Sequence, residues 1–330
     1  MMTNPILVTG AAGFIGFHTA LRLLQAGERV VGIDNLNDYY DVSLKQARLR
    51  KLDDFKNFTF VKLDIANQDG MAKLWNEHGT FRRVIHLAAQ AGVRYSLENP
   101  GSYIQSNLVG HANILELCRH TEGFEHLVYA SSSSVYGKNK KLPYAVEDRV
   151  DQPISLYAAT KRSGELMSYT YSHLYAMPQT GLRFFTVYGP WGRPDMSPYI
   201  FTSAITKGEK VPVFNHGDMK RDFTYIDDIT AGVIAVLKTP PSKEQENEVP
   251  HRVLNIGNNK SENLMDYIHE IENALGKKAD LDLLPMQAGD VKETFADIEE
   301  TTKLTGYKPT TSIEEGIPQY IAWFKEYYGT

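Results

Sequence analysis

A tyrosine and a lysine four residues apart, Tyr157 and Lys161, are the pair of side chains in this sequence best suited to acid–base chemistry. They fall in a helical stretch predicted over Pro153 to Tyr175, where an i, i+4 spacing places both side chains on one face. A phenol with a pKa of about 10 is a poor base at neutral pH. A neighbouring ammonium group favours the phenolate and lowers that pKa, which would let Tyr157 accept a proton. The alternative interpretation is an exposed aromatic residue beside a charge.

Four consecutive serines, Ser131 to Ser134, precede this pair at the end of a predicted strand. Hydroxyl groups beyond the carboxyl end of such a strand face the binding crevice of an open sheet. One of them could share the proton of a substrate hydroxyl with Tyr157. The alternative is a polar turn in which the serines bind nearby backbone groups.

A glycine-rich turn near the start of the chain joins a short apolar strand to a helix, and its glycines are Gly10, Gly13 and Gly16. Glycines allow the backbone to approach a pyrophosphate, and the free N–H groups of the new helix bind the anion. Asp34 ends the second predicted strand, where a carboxylate accepts hydrogen bonds from an adenosine ribose and repels a 2′-phosphate. The turn and the aspartate together predict a dinucleotide site that favours NAD over NADP.

The elements that must position these groups alternate between strands and helices in the first half of the chain. The predicted strands are Ile6 to Val8, Val30 to Ile33, Phe58 to Leu63, Val84 to Leu87 and Leu127 to Ala130. The predicted helices between them are Phe14 to Gln25, Val42 to Leu52, Gln68 to His78 and Tyr103 to His120. Apolar runs without strict alternation indicate a parallel sheet covered on both faces, which is a doubly wound α/β (Rossmann) fold. Asp64 follows the third strand, so it either holds an adenine amino group in the crevice or shapes a turn.

The second half has a looser pattern of short strands and helices. The predicted strands are Leu182 to Phe185, Val211 to Phe214, Val253 to Ile256 and Leu281 to Leu284, and the predicted helices are Tyr199 to Thr206, Asp228 to Leu237, Asn263 to Leu275 and Ile313 to Tyr327. The polar stretch from Pro240 to Pro250 predicts an exposed loop. We expect residues 1–180 to form the dinucleotide-binding domain. Residues 181–330 would form a smaller α/β portion that closes a cleft, with some segments returning to the sheet.

The composition excludes several classes of protein. The chain has 330 residues, of which 42% are hydrophobic and 23% charged, and its net charge of -5 argues against nucleic-acid binding as the main role. Its single cysteine, Cys118, excludes an intrachain disulfide and a thiolate metal cluster, and no metal site is expected. No apolar run approaches the ~20 residues that span a bilayer, and no signal-peptide pattern is present at the start. We therefore expect a cytoplasmic, unprocessed protein with no membrane partner.

The motifs together resemble the extended short-chain dehydrogenase/reductase superfamily, and within it the nucleotide-sugar 4-epimerases of the NAD-dependent epimerase/dehydratase family. The similarity covers nearly the whole chain, and five stretches carry it: Gly10 to Gly16, His86 to Ala89, Ser131 to Gly137, Tyr157 to Lys161 and Arg221 to Asp228. Three further stretches are similar to the UDP-glucuronate 4-epimerases: Asp34 to Tyr40, Gln90 to Ser96 with Arg94, and Arg183 to Met196. The resemblance implies NAD as the cofactor and a UDP-sugar as the substrate.

Matching residue by residue, the resemblance implies Tyr157 as the catalytic base, with Lys161 and Ser132 as its catalytic partners. The implied cofactor site comprises Gly10, Gly13, Phe14, Ile15, Gly16, Asp34, Asn35, Asp64, Ile65, Ala88 and Asn107 together with Tyr157 and Lys161. Phe214 matches an aromatic residue that flanks uracil, and Arg221 matches an arginine that binds the pyrophosphate. The helices Tyr103 to His120 and Pro153 to Tyr175 resemble the family's dimerisation pair, so a homodimer is expected.

The chain departs from related enzymes at four positions that bear on the substrate. The UDP-galactose 4-epimerases carry an asparagine at the position of Thr186 and an arginine where this chain has Gln287, ahead of Asp290. The 4,6-dehydratases carry an Asp-Glu pair where Ser133 and Ser134 stand, so elimination of water is not expected. Thr186, Gln287 and Asp290 are retained as candidate substrate contacts.

The resemblance implies transient oxidation at carbon 4, rotation of the keto sugar and re-reduction from the other face. With a uronic acid the keto intermediate is a β-keto acid, which loses carbon dioxide unless its carboxylate is held charged and out of alignment. We hypothesise that Arg193 is that clamp, assisted by Ser133 and Ser134, because an arginine grips a carboxylate with two parallel hydrogen bonds. The alternative for Arg193 is a solvent-exposed loop residue.

Three other functions remain open at this point. A UDP-glucuronate decarboxylase shares the first step, but an acidic residue is expected there beside the catalytic hydroxyl, and Ser133 and Ser134 do not supply it. A UDP-N-acetylglucosamine 4-epimerase would accept a neutral sugar. A non-catalytic NAD-sensing regulator of the same fold often lacks the tyrosine that stands here at position 157.

Overall fold

Seven parallel strands form one sheet at the centre of the molecule. The fold was obtained as a computed structural model, which describes residues 4–246, 248–286 and 291–330. The strands in chain order are β1 (Ile6–Thr9), β2 (Val30–Asp34), β3 (Phe58–Lys62), β4 (Arg83–His86), β5 (His126–Ser132), β6 (Gln179–Phe184), β7 (Thr186–Tyr188), β8 (Lys210–Val213), β9 (Lys220–Arg221), β10 (Phe223–Tyr225), β11 (His251–Ile256), β12 (Glu262–Asn263) and β13 (Asp280–Leu283). Across the central sheet their order is β11-β6-β5-β4-β1-β2-β3, which confirms the predicted doubly wound fold.

Twelve α-helices accompany the strands in the described part of the chain. They are α1 (Phe14–Gln25), α2 (Val42–Asp53), α3 (Gln68–His78), α4 (Tyr95–Glu98), α5 (Pro100–Ile104), α6 (Gly110–Arg119), α7 (Leu156–Tyr175), α8 (Ser197–Lys207), α9 (Ile226–Leu237), α10 (Leu264–Leu275), α11 (Glu299–Thr305) and α12 (Ile313–Tyr328). A π-helical turn spans Gln105–Val109, and 3₁₀ turns span Ser133–Tyr136 and Phe214–Gly217.

Both faces of the central sheet are covered, which explains its uninterrupted apolar strands. Every residue of β1 and β2 is buried. Alternate side chains of β1 enter different cores, since Ile6 and Val8 belong to one cluster of buried residues and Leu7 to another. The strand order reverses at β1, which pairs with β2 on one side and β4 on the other. A crevice opens at such a reversal, above the carboxyl ends of the strands.

The second half of the chain contributes to two units. It builds a smaller unit from pairs of short strands: β7 with β10, β8 with β13, and β9 with β12. It also returns to the central sheet, because β6 pairs with β5 and β11 pairs with β6. Residue 180 lies inside β6. In the loop predicted from Pro240 to Pro250, Lys243 and Glu244 are exposed, while Val249 and Pro250 are buried.

The helix predicted over Tyr103 to His120 is interrupted. The segment begins as α5, passes through the π turn Gln105–Val109 and continues as α6. A π turn offsets the helical register by about one residue, and in so short a segment that offset is too small to recognise from hydrophobic spacing. The predicted helix from Pro153 starts three residues later, at Leu156, because the side chain of Ser155 caps it by accepting a hydrogen bond from the Ala158 amide.

Three histidines are buried in the central unit as neutral side chains. Burial lowers the pKa of His86 well below its usual value, that of His111 to about 3 and that of His126 to about 4. Each makes a hydrogen bond inside the fold: His86 Nδ1 lies 2.8 Å from Thr9 Oγ1, His111 Nε2 lies 2.9 Å from Ser168 Oγ, and His126 Nε2 lies 2.9 Å from Thr180 Oγ1.

We expect the protein to lose stability as the pH falls below about 6.5. In that range the unfolded histidines take up protons while the folded ones stay neutral, at a cost of about 1.4 kcal/mol per pH unit for each group. Below pH 6, Asp222 offsets the loss of stability caused by one histidine, because burial raises the pKa of Asp222 to about 6. Urea unfolding at pH 7, 6 and 5 measures the net effect, and His126→Asn should lower the slope. A free energy of unfolding that is constant between pH 7 and 5 would contradict the assignment.

Candidate functional site

One cavity of about 860 Å³ lies over the carboxyl ends of the central strands, between the two units. Its walls come from the turn after β1, the ends of β2 to β5, the start of α7 and the loops of the smaller unit. It brings together almost every site residue predicted from the sequence: Gly10, Gly13, Phe14, Ile15, Gly16, Asp34, Asn35, Asp64, Ile65, Ala88, Arg94, Ser132, Ser133, Ser134, Tyr157, Lys161, Thr186, Arg193, Phe214 and Arg221. Side chains far apart in the sequence therefore share one chamber.

One predicted site residue in the described ranges, Asn107, does not line this cavity. Asn107 is buried behind the cavity wall in the π turn, where its Oδ1 accepts a hydrogen bond from the Gln90 amide and its Nδ2 donates to Gln90 O and Thr160 Oγ1. It would therefore act on a ligand through Gln90, which lines the cavity. Gln287 and Asp290 lie outside the described residues.

The turn after β1 leaves no room for side chains at its glycines. Gly10 has a φ of 73°, in the region that favours glycine, and a Cβ atom on Gly16 would lie 1.9 Å from the carbonyl oxygen of Gly10. The turn packs directly on the end of β4, because a Cβ atom on Gly10 would lie 2.8 Å from the amide nitrogen of Ala88. The backbone is thus bare at the start of α1, which suits the close approach of a pyrophosphate.

We expect Gly16→Ala to weaken NAD binding by about 10- to 100-fold, because the new methyl group can be accommodated only by moving the turn, at about 1–3 kcal/mol. Isothermal titration of the cofactor-free protein with NAD measures the change. Gly27→Ala is the control for a glycine outside the site, since nothing lies within 4 Å of a Cβ atom there, although its φ is 84°. NAD affinity within twofold of the parent in Gly16→Ala would contradict the role given to this turn.

Two carboxylates hold the loop at the end of the cavity where the sequence predicts the ribose and adenine to bind. Asp34 accepts hydrogen bonds from the Ala12 amide at 3.2 Å and from the Leu36 amide at 2.8 Å. Asp64 accepts from the Ala66 amide and from Asn35 Nδ2, both at 2.8 Å. Asp64 therefore does shape a turn, which was the alternative interpretation, and it also lines the cavity. A carboxylate has further lone pairs, so both groups can still accept a ligand's hydrogen bonds.

Tyr157 and Lys161 project from the first turns of α7 into the same cavity, as their spacing predicts. The Lys161 ammonium lies 6.0 Å from the centre of the Tyr157 ring and donates a hydrogen bond of 2.9 Å to Ala130 O at the end of β5. Burial lowers the pKa of Lys161 to about 8, against the opposing charge of Glu165. The helix thus delivers both groups to the strand end that carries the serines.

In the protein chain by itself the pKa of Tyr157 is raised, and the fall expected from Lys161 together with a cationic nicotinamide ring stays a prediction for the protein with NAD bound. Burial raises that pKa above its ordinary value of 10.0, and it outweighs the hydrogen bond from Ser132 and the charge of Arg193, which lower it. Sequence spacing identified the pair but could not weigh the loss of solvation against it. A further positive charge beside the ring is needed before the phenol becomes an effective base.

The four serines take different roles. Ser131 is buried, donates a hydrogen bond of 2.6 Å to Glu165 and also lines the cavity. Ser132 caps the following 3₁₀ turn by accepting a hydrogen bond from the Ser134 amide. Its hydroxyl also lowers the pKa of Tyr157. Ser133 and Ser134 line the cavity. Ser132 therefore satisfies both interpretations of this stretch, since it binds a local backbone amide and lines the cavity.

A buried ion pair behind α7 was not predicted from the sequence. Glu165 stands one turn beyond Lys161 and is held by Arg183 of β6, with Arg183 Nε donating to Oε1 at 2.9 Å and Nη2 to Oε2 at 3.0 Å. Burial alone would raise the pKa of Glu165, but the hydrogen bonds and charge of Arg183 hold it below its usual range. The spacing of Tyr157, Lys161 and Glu165 at i, i+4 and i+8 was the available signal.

Arg193 also enters the cavity, but it is not a free arginine. Its Nε and Nη2 atoms donate to the two carboxylate oxygens of Asp195, at 2.9 and 2.5 Å, and Tyr39 donates its hydroxyl proton to the same carboxylate at 2.9 Å. Burial raises the pKa of Asp195, but the charge of Arg193 outweighs it and holds that pKa below its usual value. Asp195 and Tyr39 were not predicted. Among the described residues, no hydrogen bond is made by its Nη1 atom.

One end of the cavity is lined by an aromatic ring and two arginines. The guanidinium carbon of Arg94, which is exposed, lies 5.0 Å from the centre of the Phe214 ring across the cleft. Arg221 projects from β9 and donates through Nη1 to Lys220 O at 2.8 Å. A flat base and a pyrophosphate would fit these surfaces, because guanidinium groups stack on rings and bind phosphate.

Among the described residues, no helix combines the length and apolar character that a membrane crossing needs. No group of three or more His, Cys, Asp or Glu side chains in the described ranges is arranged to hold a metal ion.

Comparisons with known proteins agree on the type of site. A family model described as the NAD dependent epimerase/dehydratase family matches residues 6–257. A probable UDP-glucuronate 4-epimerase of Rhizobium meliloti is 46% identical over 98% of this chain and 97% of its own, and UDP-glucuronate 4-epimerase 4 of Arabidopsis thaliana is 46% identical over 98% of this chain and 76% of its own. The crystal structure of UDP-glucuronic acid 4-epimerase from Bacillus cereus with UDP-glucuronic acid and NAD superposes with a TM-score of 0.89 at 35% identity, covering 98% of this chain and 100% of that one.

Proposed function

The chain belongs to the NAD-dependent epimerase/dehydratase family, and from that membership and the geometry of the cavity we propose that it interconverts UDP-glucuronate and UDP-galacturonate by inverting carbon 4. The observation that carries the proposal is the meeting of Tyr157 with Arg193 in a cavity that also contains the glycine turn after β1. A base for a ring hydroxyl and a cation for a carboxylate thus act on one ligand. Relatives at 46% identity bear the name of this activity.

The described residues fit NAD. The backbone around Gly16 is clear of side chains where a pyrophosphate must approach, and Asp34 is placed to bind a ribose and exclude a 2′-phosphate. Lys161, from α7, would bind the ribose next to the reacting ring. When bound, NAD accepts the hydride of carbon 4 and returns it to either face.

Tyr157 removes the proton of the 4-hydroxyl and later returns one to the carbon 4 oxygen. Ser132 lowers the pKa of the same phenol, and Lys161 holds the end of β5 through Ala130. The keto sugar turns over in the cavity while Phe214 and Arg221 retain the nucleotide. The configuration at carbon 4 is inverted because Tyr157 can exchange a proton with the carbon 4 oxygen in either orientation of the ring.

Arg193 protects the intermediate from decarboxylation. The carboxylate beside a carbon 4 ketone leaves as carbon dioxide when its bond stands perpendicular to the carbonyl plane. The Nη1 atom of Arg193, together with Ser133, Ser134 and Thr186 of the same cavity, would hold the carboxylate charged and away from that geometry. Among the residues beside Ser132 no acid is present to assist loss of carbon dioxide, which favours epimerisation over the decarboxylase alternative.

The test is to incubate the purified protein with UDP-glucuronate and identify the sugar by proton NMR. UDP-galacturonate is the expected product, and heat-released nucleotide should contain NAD by mass spectrometry. A UDP-pentose would instead identify a decarboxylase, and turnover of UDP-N-acetylglucosamine in a parallel sample would identify a neutral-sugar epimerase. No turnover of any UDP-sugar would leave the NAD-sensing regulator as the better account.

We also propose that residues 181–330 supply most of the sugar-binding surface. Thr186, Arg193, Phe214 and Arg221 all come from this half of the chain. The cytoplasmic location expected from the sequence stays a prediction.

A homodimer is supported by an apolar surface on two neighbouring helices. Leu166, Tyr169 and Leu174 of α7 are 52%, 50% and 60% exposed, and Ile104 and Val109 beside them on the α5–α6 segment are 39% and 38% exposed. Large side chains that are this exposed and this close together indicate an interaction surface. Covering α7 with a second copy would remove them from water.

We expect Leu166→Asp to yield monomers, because the charge would have to be buried in the dimer. Sedimentation velocity measures the mass. Leu283→Asp is a matched control, since Leu283 is 50% exposed on β13, away from α7. A parent that sediments as a monomer would contradict the proposal.

A further inference from the structure

Arg48, on α2, is a fully buried cation that the reaction does not use. Its side chain has no exposure to solvent. Nη1 donates hydrogen bonds of 2.7 Å to Ala12 O and to the hydroxyl of Tyr40, and Nη2 donates to Trp191 O at 2.6 Å and to Gly192 O at 3.5 Å. One guanidinium therefore joins three segments that are distant in the sequence.

The acceptors of Arg48 are neutral. In the described ranges no carboxylate forms an ion pair with it, and its Nε has no hydrogen-bond partner. Burying a guanidinium without a counter-charge is costly, and an apolar side chain of similar volume generally packs a core at least as well. A residue of this kind is better explained by the segments it holds in place than by a gain in stability.

One of those segments is the loop that carries Arg193. Three successive carbonyls in it are held by side chains of α1 and α2: Pro190 O by His18 Nε2 at 2.9 Å, and the next two by Arg48. Trp191 has a φ of 64°, a left-handed conformation that is strained for a tryptophan and persists only with support from its surroundings. The loop therefore depends on these donors for its path.

The other segment is the glycine turn after β1. Ala12 lies inside this turn, and its carbonyl binds Arg48 while its amide donates to Asp34 at 3.2 Å. Arg193 follows Gly192 directly in the chain. Arg48 thus spans, within one side chain, the turn that would hold the pyrophosphate of NAD and the loop that would hold the carboxylate of the sugar.

We propose that Arg48 is a positioning residue that fixes Arg193 relative to the glycine turn, and through it the uronate carboxylate relative to the reacting face of the cofactor. This inference rests on the proposed function, because it takes Arg193 as the partner of the carboxylate. Lysine cannot replace Arg48 in this role, since a single ammonium group lacks the planar fork that reaches the turn and the loop at once.

The test compares binding of UDP-glucuronate and of UDP by calorimetry, in NAD-loaded protein that carries Tyr157→Phe so that the sugar is not converted. We expect Arg48→Lys to weaken UDP-glucuronate binding by about tenfold, since small displacements of a binding group have large effects, and to leave UDP binding within twofold. The loss should vanish when Arg193→Leu is already present, which is the mark of two residues acting as one unit. Arg50→Lys, at an exposed position of the same helix, is the matched control.

Each other outcome overturns the proposal. UDP-glucuronate affinity unchanged in Arg48→Lys would show that the loop does not need the guanidinium. Equal losses for UDP and UDP-glucuronate, or no binding of UDP at all, would make Arg48 a support of the whole fold. A loss that persists beside Arg193→Leu would separate the two residues. If the parent instead binds UDP-glucuronate no better than UDP-glucose, the proposed function itself fails.

Discussion

Tyr157→Phe should lower the turnover of UDP-glucuronate by about 10³-fold or more. General acid–base catalysis by a positioned side chain contributes about 10²–10⁴-fold. No described group next to Ser132 can replace the phenol as the base. The phenyl ring keeps the packing of Tyr157 against Tyr103, whose ring centre is 6.1 Å away. Binding of NAD and UDP-glucuronate should therefore survive. Initial rates by NMR and titration calorimetry on the same protein separate the two effects.

Tyr169→Phe is the matched control for this variant. Tyr169 lies further along the same helix and is 50% exposed, so loss of its hydroxyl should leave the rate unchanged. A Tyr157→Phe protein that converts the sugar at the parental rate would remove the phenol from the mechanism, and the proton would then need another acceptor.

Arg193→Leu should lower kcat/KM for UDP-glucuronate by about 10²–10³-fold, because it removes one member of a charge-assisted contact whose truncation costs about 2–5 kcal/mol. What turnover remains should release some UDP-pentose, since the carboxylate of the keto intermediate is no longer held. Product analysis by mass spectrometry detects the loss of carbon dioxide. An unchanged rate without release of UDP-pentose would contradict the proposal that Arg193 holds the carboxylate.

The Arg193 variant needs a second substitution to be interpreted. Removing the guanidinium leaves the carboxylate of Asp195 part-buried without the cation that now holds its pKa down. Arg193→Leu combined with Asp195→Asn removes both charges and restores neutrality. If the double variant recovers thermal stability but not activity, the loss of rate belongs to the missing clamp.

The parts of this site that the sequence predicted are those encoded locally. The turn from Gly10 to Gly16 is a continuous strand–turn–helix segment, and Tyr157 and Lys161 are related by one turn of a single helix. Their positions in the sheet follow from the alternation of strands and helices, because consecutive parallel strands place their carboxyl ends at the same edge. Local pattern therefore predicted the fold class and the groups that we propose to react.

The parts that it missed depend on long-range contact. Tyr39 and Asp195 are 156 residues apart and meet only because two loops close over one cavity, and Glu165 and Arg183 pair across a helix and a strand. The pKa of Tyr157 likewise depends on burial, which no spacing reports. Arg48 is the extreme case, since an arginine in a polar helix is ordinarily a surface residue and here it is fully buried.

The path of the chain between the two units has a consequence for how a sugar can be flipped. After β6 the chain leaves the central sheet for β7, comes back as α9 and β11, and leaves once more for β12. Two units connected by several backbone crossings can move relative to one another only if every crossing bends at once, which restricts a hinge motion between them. In the proposed reaction, the half-turn of the keto sugar would then be mainly a movement of the ligand inside the cavity, with the two units staying in place around it.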